Sequence, residues 1–419
     1  MSVVSVADVE RANGVLIIFA KDILTPLAAD RAKELNIRIE RSGSLRSAAP
    51  PAASPMPSIP LAPSRSAPAA KPSVSPGSLQ LGALSGSLYR RGAPVPPQMR
   101  VGGEPNAATN DDRPRAAVIG AGHVGATTAL RLAETSLFSR VVLVDIVPGL
   151  AAGLALDMWH SSGLRGFTTR IEGSTDLAAL EEARYVVMTA GRPRQPGMSR
   201  TDLTGVNAEI VGGVADGIRR YAPNAVVVVV TNPLEEMTHL MAKLSGFAAN
   251  KVIGMAGVLD SARFCSLIAL EGVARPQDVD AIALGSHGAE MVIPLSLATA
   301  NGRPIETLIA KDRLAAIVER ARDSGAEVVK LLQKGSAYFS PAESAASMVA
   351  AMVKGSSPVI AACVQSGGAY GVADTRLGLP VRLDANGVKE IVTLPLRPEE
   401  QAALAEAARS IAKRISELG

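Results

Sequence analysis

The sequence predicts an α/β protein in which a doubly wound parallel sheet is followed by an α+β half and preceded by an N-terminal extension. Two observations carry this. The apolar runs Ala116–Ile119, Val141–Val144, Tyr185–Thr189 and Ala225–Val230 alternate with helical stretches, the pattern of strands covered on both faces. After about Leu259 the alternation turns mixed, and the chain closes on a long helical pattern, Pro398–Leu418, with Ala, Leu and charges at helical spacing.

The elements follow in order. Residues 1–45 read as a small module. Val15-Leu-Ile-Ile-Phe-Ala20 is strand-like, and Thr25-Pro26 starts a helix, with Thr as N-cap and Pro in the first turn. Leu27–Leu35 carries helix formers, Asn36 closes the helix, and Ile37–Glu40 alternates like a strand. Residues 46–112 are rich in Pro, Ala, Ser and Gly without sustained periodicity, which predicts a disordered tether. Within it, Leu81–Gly92 is less bland: Leu81, Leu84, Leu88, Tyr89 and the paired Arg90 and Arg91 are unsuited to a pure spacer. Residues 113–258 are expected to form the parallel-sheet domain and 259–419 the α+β domain.

Composition excludes several classes. At 419 residues and 47% hydrophobic content the chain can bury more than one core. Its apolar runs fall far short of the roughly 20 residues of a membrane span. Cys265 and Cys363 are too few for a disulfide framework and lack metal-ligand spacing, so a cytoplasmic, reducing location is expected. The pI of 9.1 suggests a polyanion partner. Its charge location argues otherwise: the chain from residue 113 onward holds 31 Lys/Arg against 30 Asp/Glu, and the excess lies in the tether. No nucleic-acid or membrane partner is expected.

Gly120-Ala-Gly-His-Val-Gly125 follows the first strand and opens a helix from Val124 to about Glu134. Gly120 suits a tight turn, Gly122 lets backbone approach a pyrophosphate, and Gly125 allows close helix–strand contact, the fingerprint of a Rossmann sheet. The helix N-terminus adds free N–H groups and a positive dipole end. Asp145 ends the second strand twenty residues past Gly125, where a carboxylate accepts hydrogen bonds from a ribose diol and repels a 2′-phosphate. NAD rather than NADP is the expected cofactor.

Four further segments come in order: Thr189-Ala-Gly-Arg-Pro-Arg-Gln-Pro-Gly-Met-Ser-Arg200, Thr231-Asn-Pro-Leu234, Gly254-Met-Ala-Gly-Val-Leu-Asp-Ser-Ala-Arg263 and Gly285-Ser-His-Gly288. Together with the glycine loop, and from about Arg113 to the C-terminus, the chain resembles the malate/lactate dehydrogenase family. The resemblance implies reversible hydride transfer between NAD and a small 2-hydroxy acid. His287 would be the proton donor and acceptor, and imidazole suits that task because it titrates near working pH. Asp260 would fix its tautomer, Arg263 would grip the substrate C1 carboxylate through a two-bond fork, and Asn232 would bond the substrate oxygen. Arg200, on a mobile lid, would polarise the carbonyl. His123, Val124, Thr189, Ala190, Gly191, Asn207, Thr231 and Asn232 would join Gly120, Gly122, Gly125 and Asp145 around the cofactor. His160 and His239 fall in expected helices and read as packing or surface residues.

Arg194 points to the substrate. At this place in the lid the resemblance implies glutamine for lactate enzymes and arginine for malate enzymes. Beneath a closed lid, arginine facing the methyl of pyruvate is a buried charge without a partner; facing the second carboxylate of oxaloacetate it is paired. Oxidation of (S)-malate to oxaloacetate, and its reverse, is therefore expected.

The chain departs from the family pattern at Ala289-Glu290, where an aspartate is usual, at Gln195 and at Cys265. Homodimers or homotetramers are implied. For residues 1–112, the layout resembles tags that recruit enzymes to bacterial microcompartments or other assemblies. An inert extension and a regulatory arm remain open alternatives. The acids Asp8 and Glu10 and the short apolar run argue against a secretory signal.

Overall fold

The structure is a computed structural model that describes residues 3–4, 9, 12, 14–19, 23–24, 26–42, 111–193, 200–333, 335–355 and 357–418. The expected tether, apart from Asp111 and Asp112, lies outside the described residues together with its Leu81–Gly92 patch, and so does Arg194.

The N-terminal unit contains β1 (Val3–Val4), β2 (Val15–Phe19), β3 (Ile23–Leu24), α1 (Pro26–Glu34) and β4 (Arg38–Ser42). Strands β2 and β4 run parallel, Val15 opposite Arg38, with α1 as the crossover between them. Asn36 ends the helical turn at φ 53°, a conformation its short polar side chain tolerates better than most. Leu16, Ile37 and Ile39 gather around buried Val9 and Ala32. On the alternate strand positions Val15 and Ile17 stay 44% and 60% exposed.

The larger unit opens with strands β5 (Arg115–Ile119), β6 (Arg140–Val144), β7 (Arg170–Ser174), β8 (Ala183–Met188), β9 (Val226–Val229) and β10 (Val252–Gly254). Helices α2 (His123–Glu134), α3 (Leu150–Arg165), α4 (Arg200–Tyr221) and α5 (Leu234–Ser245) connect them. The strands are parallel and ordered β10-β9-β8-β5-β6-β7. This is the doubly wound order whose direction reverses between β5 and β8, and ligands bind at that switch point. Side chains alternate across the sheet. Ala116 and Val118 enter one core with Ala129 and Leu132 of α2. Ala117 and Ile119 enter the other with Val211 and Ile218 of α4 and Met237 of α5. Each fully buried Val, Leu or Ile contributes about 1.5–3 kcal/mol relative to exposure, so both faces need their helices.

The second half extends the same sheet and adds a separate three-stranded one. It comprises α6 (Gly257–Ala269), β11 (Val279–Asp280), β12 (Leu284–Gly285), β13 (Met291–Val292), β14 (Thr299–Ala300), β15 (Arg303–Pro304), α7 (Lys311–Leu332) and α8 (Phe339–Val353). β16 (Ile360–Gln365), β17 (Arg376–Asp384), β18 (Gly387–Ile391) and α9 (Pro398–Ser416) complete it. β16 joins β10 antiparallel, Gly254 opposite Cys363, and β17, β12 and β13 follow outward. One 11-stranded sheet therefore carries both the glycine turn and the β12–β13 loop that holds His287.

Candidate active site

The turn between β5 and α2 is built for a close ligand. Gly120 sits at φ 99°, and a Cβ there would stand 2.7 Å from the Ala190 nitrogen. A Cβ on Gly125 would collide with the Gly120 carbonyl oxygen. Both glycines are thus required by the protein itself. Gly122 is different: a Cβ there would meet nothing within 4 Å. Gly122 thus leaves open space at the N-terminal end of α2, the place where the fingerprint would bring a diphosphate against the backbone.

Asp145 is tied more tightly to the protein than its sequence position suggests. Its Oδ2 accepts the Ala121 N–H at 2.7 Å and its Oδ1 accepts the Val147 N–H at 2.9 Å. Each oxygen keeps a second lone pair for a ribose hydroxyl. His123, the first residue of α2, is exposed, and its ring centroid lies 5.0 Å from that of Tyr338, just before α8.

Beyond the switch point, side chains knit the strand ends together. Thr189 donates to the Ile119 carbonyl at 2.9 Å, and Thr231 donates to the Ala190 carbonyl at 2.7 Å. Asn207, 1% exposed, accepts the Arg192 N–H at 2.7 Å and donates to the Asn232 carbonyl at 2.6 Å. Its amide is spent on backbone, so it fixes the Gly191–Arg192 and Thr231–Asn232 turns relative to each other. The Asn232–Pro233 peptide is cis, and Asn232 is exposed at the end of β9.

The candidate acid–base group lies on α6 and the β12–β13 loop. Asp260, in the first turn of α6, is 2% exposed. Its Oδ2 lies 2.8 Å from His287 Nδ1, and its Oδ1 lies 3.3 Å from Arg263 Nη1. Arg263 stands one turn further along α6, which places both side chains on one face. Burial pulls the His287 imidazole toward its neutral form. The charge and hydrogen bond of Asp260, with the Glu235 carboxylate, outweigh that pull, so His287 titrates above its ordinary value.

Two groups at the site escape a reading of the sequence. Glu235, 2% exposed in the first turn of α5, accepts the His287 main-chain N–H at 2.6 Å. Burial pushes its carboxyl pKa up, against the opposing effect of His287. Arg414 of α9 donates to Glu236 Oε1 at 3.0 Å, Glu290 Oε1 at 3.4 Å, Ser410 Oγ at 2.9 Å and Ser286 Oγ at 3.3 Å. The unusual Glu290 therefore belongs to a brace behind the histidine loop. Acids just after Asn-Pro at a helix start read as solvated groups favoured by the helix dipole; their apolar neighbours Leu234 and Met237 were the signal that they are buried.

The structure thus links Gly120, Thr189, Ala190, Thr231, Asn232, Asn207, Glu235, His287, Asp260 and Arg263 by neighbouring or bonded groups along the strand ends. Arg200 is the first residue of α4; its side chain, like Arg194, lies outside what is described. Among the described residues no group of His, Cys, Asp and Glu is arranged to hold a metal ion.

A dinucleotide cradle on one side of the sheet's switch point and a carboxylate-held histidine on the same sheet define an NAD-dependent dehydrogenase. The chain belongs to the lactate/malate dehydrogenase family. Residues 114–254 match the family's NAD binding domain and residues 257–418 its alpha/beta C-terminal domain. It is 45% identical over 299 residues to a malate dehydrogenase of Synechocystis sp., covering 71% of this chain and 92% of that protein. It is 45% identical over 303 residues to one of Thermomicrobium roseum, covering 72% and 97%. Among solved structures, malate dehydrogenase of Salinibacter ruber superposes with a TM-score of 0.69 at 39% identity, covering 73% of this chain and 97% of that one. Lactate dehydrogenase of Cryptosporidium parvum, complexed with lactic acid and nicotinamide adenine dinucleotide, does so with 0.70 at 37% identity, covering 73% and 98%. The family match begins at residue 114.

Proposed function

We propose that the chain catalyses the reversible NAD-dependent oxidation of (S)-malate to oxaloacetate. The observation that carries the chemistry is the Asp260 carboxylate shared between His287 at 2.8 Å and Arg263 at 3.3 Å. NAD, held at Gly120–Gly125 and Asp145, supplies the acceptor for the hydride that leaves C2 of the hydroxy acid. Because Asp260 holds Nδ1 of His287, Nε2 is the nitrogen left to take the hydroxyl proton during oxidation and return it during reduction. Asp260 favours the imidazolium that results. Arg263 binds the C1 carboxylate, and Asn232, exposed at the strand end, bonds the reacting oxygen. Arg200 and Arg194 act from the lid, Arg200 on the carbonyl and Arg194 on the second carboxylate. The relatives' names and Arg194 both support malate over lactate.

The experiment is substitution of His287 by asparagine. NADH binding, followed by its fluorescence, stays within about threefold of the parent, while oxaloacetate reduction falls by about 10²–10⁴. A variant that keeps more than a tenth of the parent's kcat refutes His287 as the proton carrier.

Two outward surfaces support partners. Leu156, Trp159 and Leu164 of α3 are exposed at 56%, 39% and 75%, an apolar surface suited to a second copy in a homodimer or homotetramer. In the N-terminal unit, Val15 and Ile17 lie on the strand positions opposite the α1 side, and a two-stranded sheet is marginal alone. That supports docking of residues 1–112 to a larger assembly, such as a bacterial microcompartment shell, within the cytoplasm. Residues 1–112 fused to a fluorescent protein give discrete foci in cells that hold the assembly; diffuse fluorescence refutes docking.

A further inference from the structure

We infer that Glu235 is a positioning residue for the acid–base histidine, bolting the turn that carries Asn232 to the loop that carries His287. The inference rests on the reading of His287 as the proton carrier.

The geometry is specific. Glu235 lies three residues past Asn232, at the start of α5, on the cofactor half of the sheet. Its carboxylate crosses to the catalytic half and accepts the His287 N–H at 2.6 Å, bridging positions 52 residues apart. A carboxylate 2% exposed is costly to bury unless it is bonded. A short charge-assisted bond to the His287 main-chain N–H is a strong use of it. The imidazole itself is held separately, through Nδ1, by Asp260. Asp260 thus orients the ring while Glu235 sets where the loop places that ring.

The rest of the loop is braced from the opposite side. Arg414 of α9 bonds Ser286 and Glu290, which flank His287, and also Glu236, the neighbour of Glu235. Adjacent first-turn acids of α5 therefore hold the loop by two routes: Glu235 directly, and Glu236 through Arg414. Of the two, the Glu235 route touches the backbone of His287 directly. A small slip of that bond would shift Nε2 relative to the substrate oxygen, and misplacement of about 1 Å costs on the order of a hundredfold in rate.

The charged groups facing His287 are Asp260 and Arg263 of α6 and Glu235 of α5, with Glu236, Glu290 and Arg414 in the brace beyond. Glu235 favours the imidazolium. Two functions therefore separate by substitution. Glu235→Gln keeps an acceptor oxygen of the same reach and loses the charge. Glu235→Met keeps the volume and loses the acceptor.

The test compares these variants with His287→Asn in oxaloacetate reduction by the full chain, with kcat and the KM for NADH measured separately across pH. Glu235→Gln keeps kcat within about threefold near neutral pH, with the alkaline limb of its profile moved to lower pH. Glu235→Met loses tenfold or more in kcat, with the KM for NADH within twofold. Parental kcat in the methionine variant overturns the inference, as does a loss that falls on NADH binding instead. If the methionine variant does not fold, Glu235→Ala, which also removes the acceptor but adds no bulk, takes its place, and parental kcat there overturns the inference. An active His287→Asn chain is a separate outcome: it removes the proton-carrier reading itself and, with it, the role assigned to Glu235.

Discussion

Nδ1 of His287 lies 2.8 Å from Oδ2 of Asp260, a carboxylate buried in the first turn of α6. The pair fixes which imidazole nitrogen is left free of Asp260. Asp260→Asn keeps the shape and removes the charge that favours the imidazolium. Its kcat for oxaloacetate reduction falls about 10²–10⁴ at neutral pH, read from NADH absorbance. A loss below tenfold denies Asp260 this role.

The same pair makes stability depend on pH. Folded His287 binds its proton more tightly than an ordinary histidine at 6.5. Its contribution is fully present below about pH 6.5 and is lost as pH rises through the higher folded value. His287→Gln therefore costs more Tm at about pH 5.5 than at about pH 9.5. An equal loss at both values contradicts the raised pKa.

Gly122 and Gly125 differ in what a methyl group meets. Gly125→Ala forces Cβ onto the Gly120 carbonyl oxygen, and overpacking of this kind destabilises by about 1–3 kcal/mol or more. Gly122→Ala meets no protein atom within 4 Å. It leaves Tm within about 2 °C of the parent, since surface changes cost within about 0.5 kcal/mol, yet raises the KM for NADH at least tenfold. Thermal unfolding and NADH titration of both variants check the contrast. A Gly122→Ala chain with parental NADH affinity places the diphosphate elsewhere.

Arg414, with its side chain 15% exposed, is the cation of the brace behind the histidine loop. Arg414→Gln strips that cation from Glu236 and Glu290 and costs about 3–5 kcal/mol, the usual penalty for breaking a buried ion pair. Urea unfolding measures it. A cost below about 1 kcal/mol, as for a surface pair, shows that the brace is incidental.

Much of this was legible in the sequence because it is local. The strand–glycine–helix turn at Ile119–Glu134 is written in consecutive residues, and α2 begins at His123, one residue before the expected Val124. α9 ends at Ser416 against an expected Leu418, a difference of the size that helix fraying brings. In the N-terminal unit, Pro26 and Asn36 mark the bounds of α1 because each residue type has a backbone preference. The resemblance singled out His287, Asp260 and Arg263, and the fold gathers them through positions 3 and 27 residues apart. The resemblance placed Asn207 near the cofactor; that its amide bonds two backbone turns was not legible. Glu235 and Arg414 were not legible as site residues. Their partners lie 52 and 178 positions away; the apolar neighbours Leu234 and Met237 hint that the first-turn acids are buried, but nothing local tells which groups they bond.

The central claim is substrate choice. Arg194 bears on it from the sequence, together with the names of the chain's relatives. NADH oxidation by the purified chain, with oxaloacetate and pyruvate compared by kcat/KM, tests it most directly. A charge left without its partner beneath a closed lid costs about 3–5 kcal/mol, a discrimination of hundreds- to thousandsfold. The account predicts at least a hundredfold preference for oxaloacetate, narrowed in Arg194→Gln. Equal efficiency on the two acids in the parent chain contradicts it.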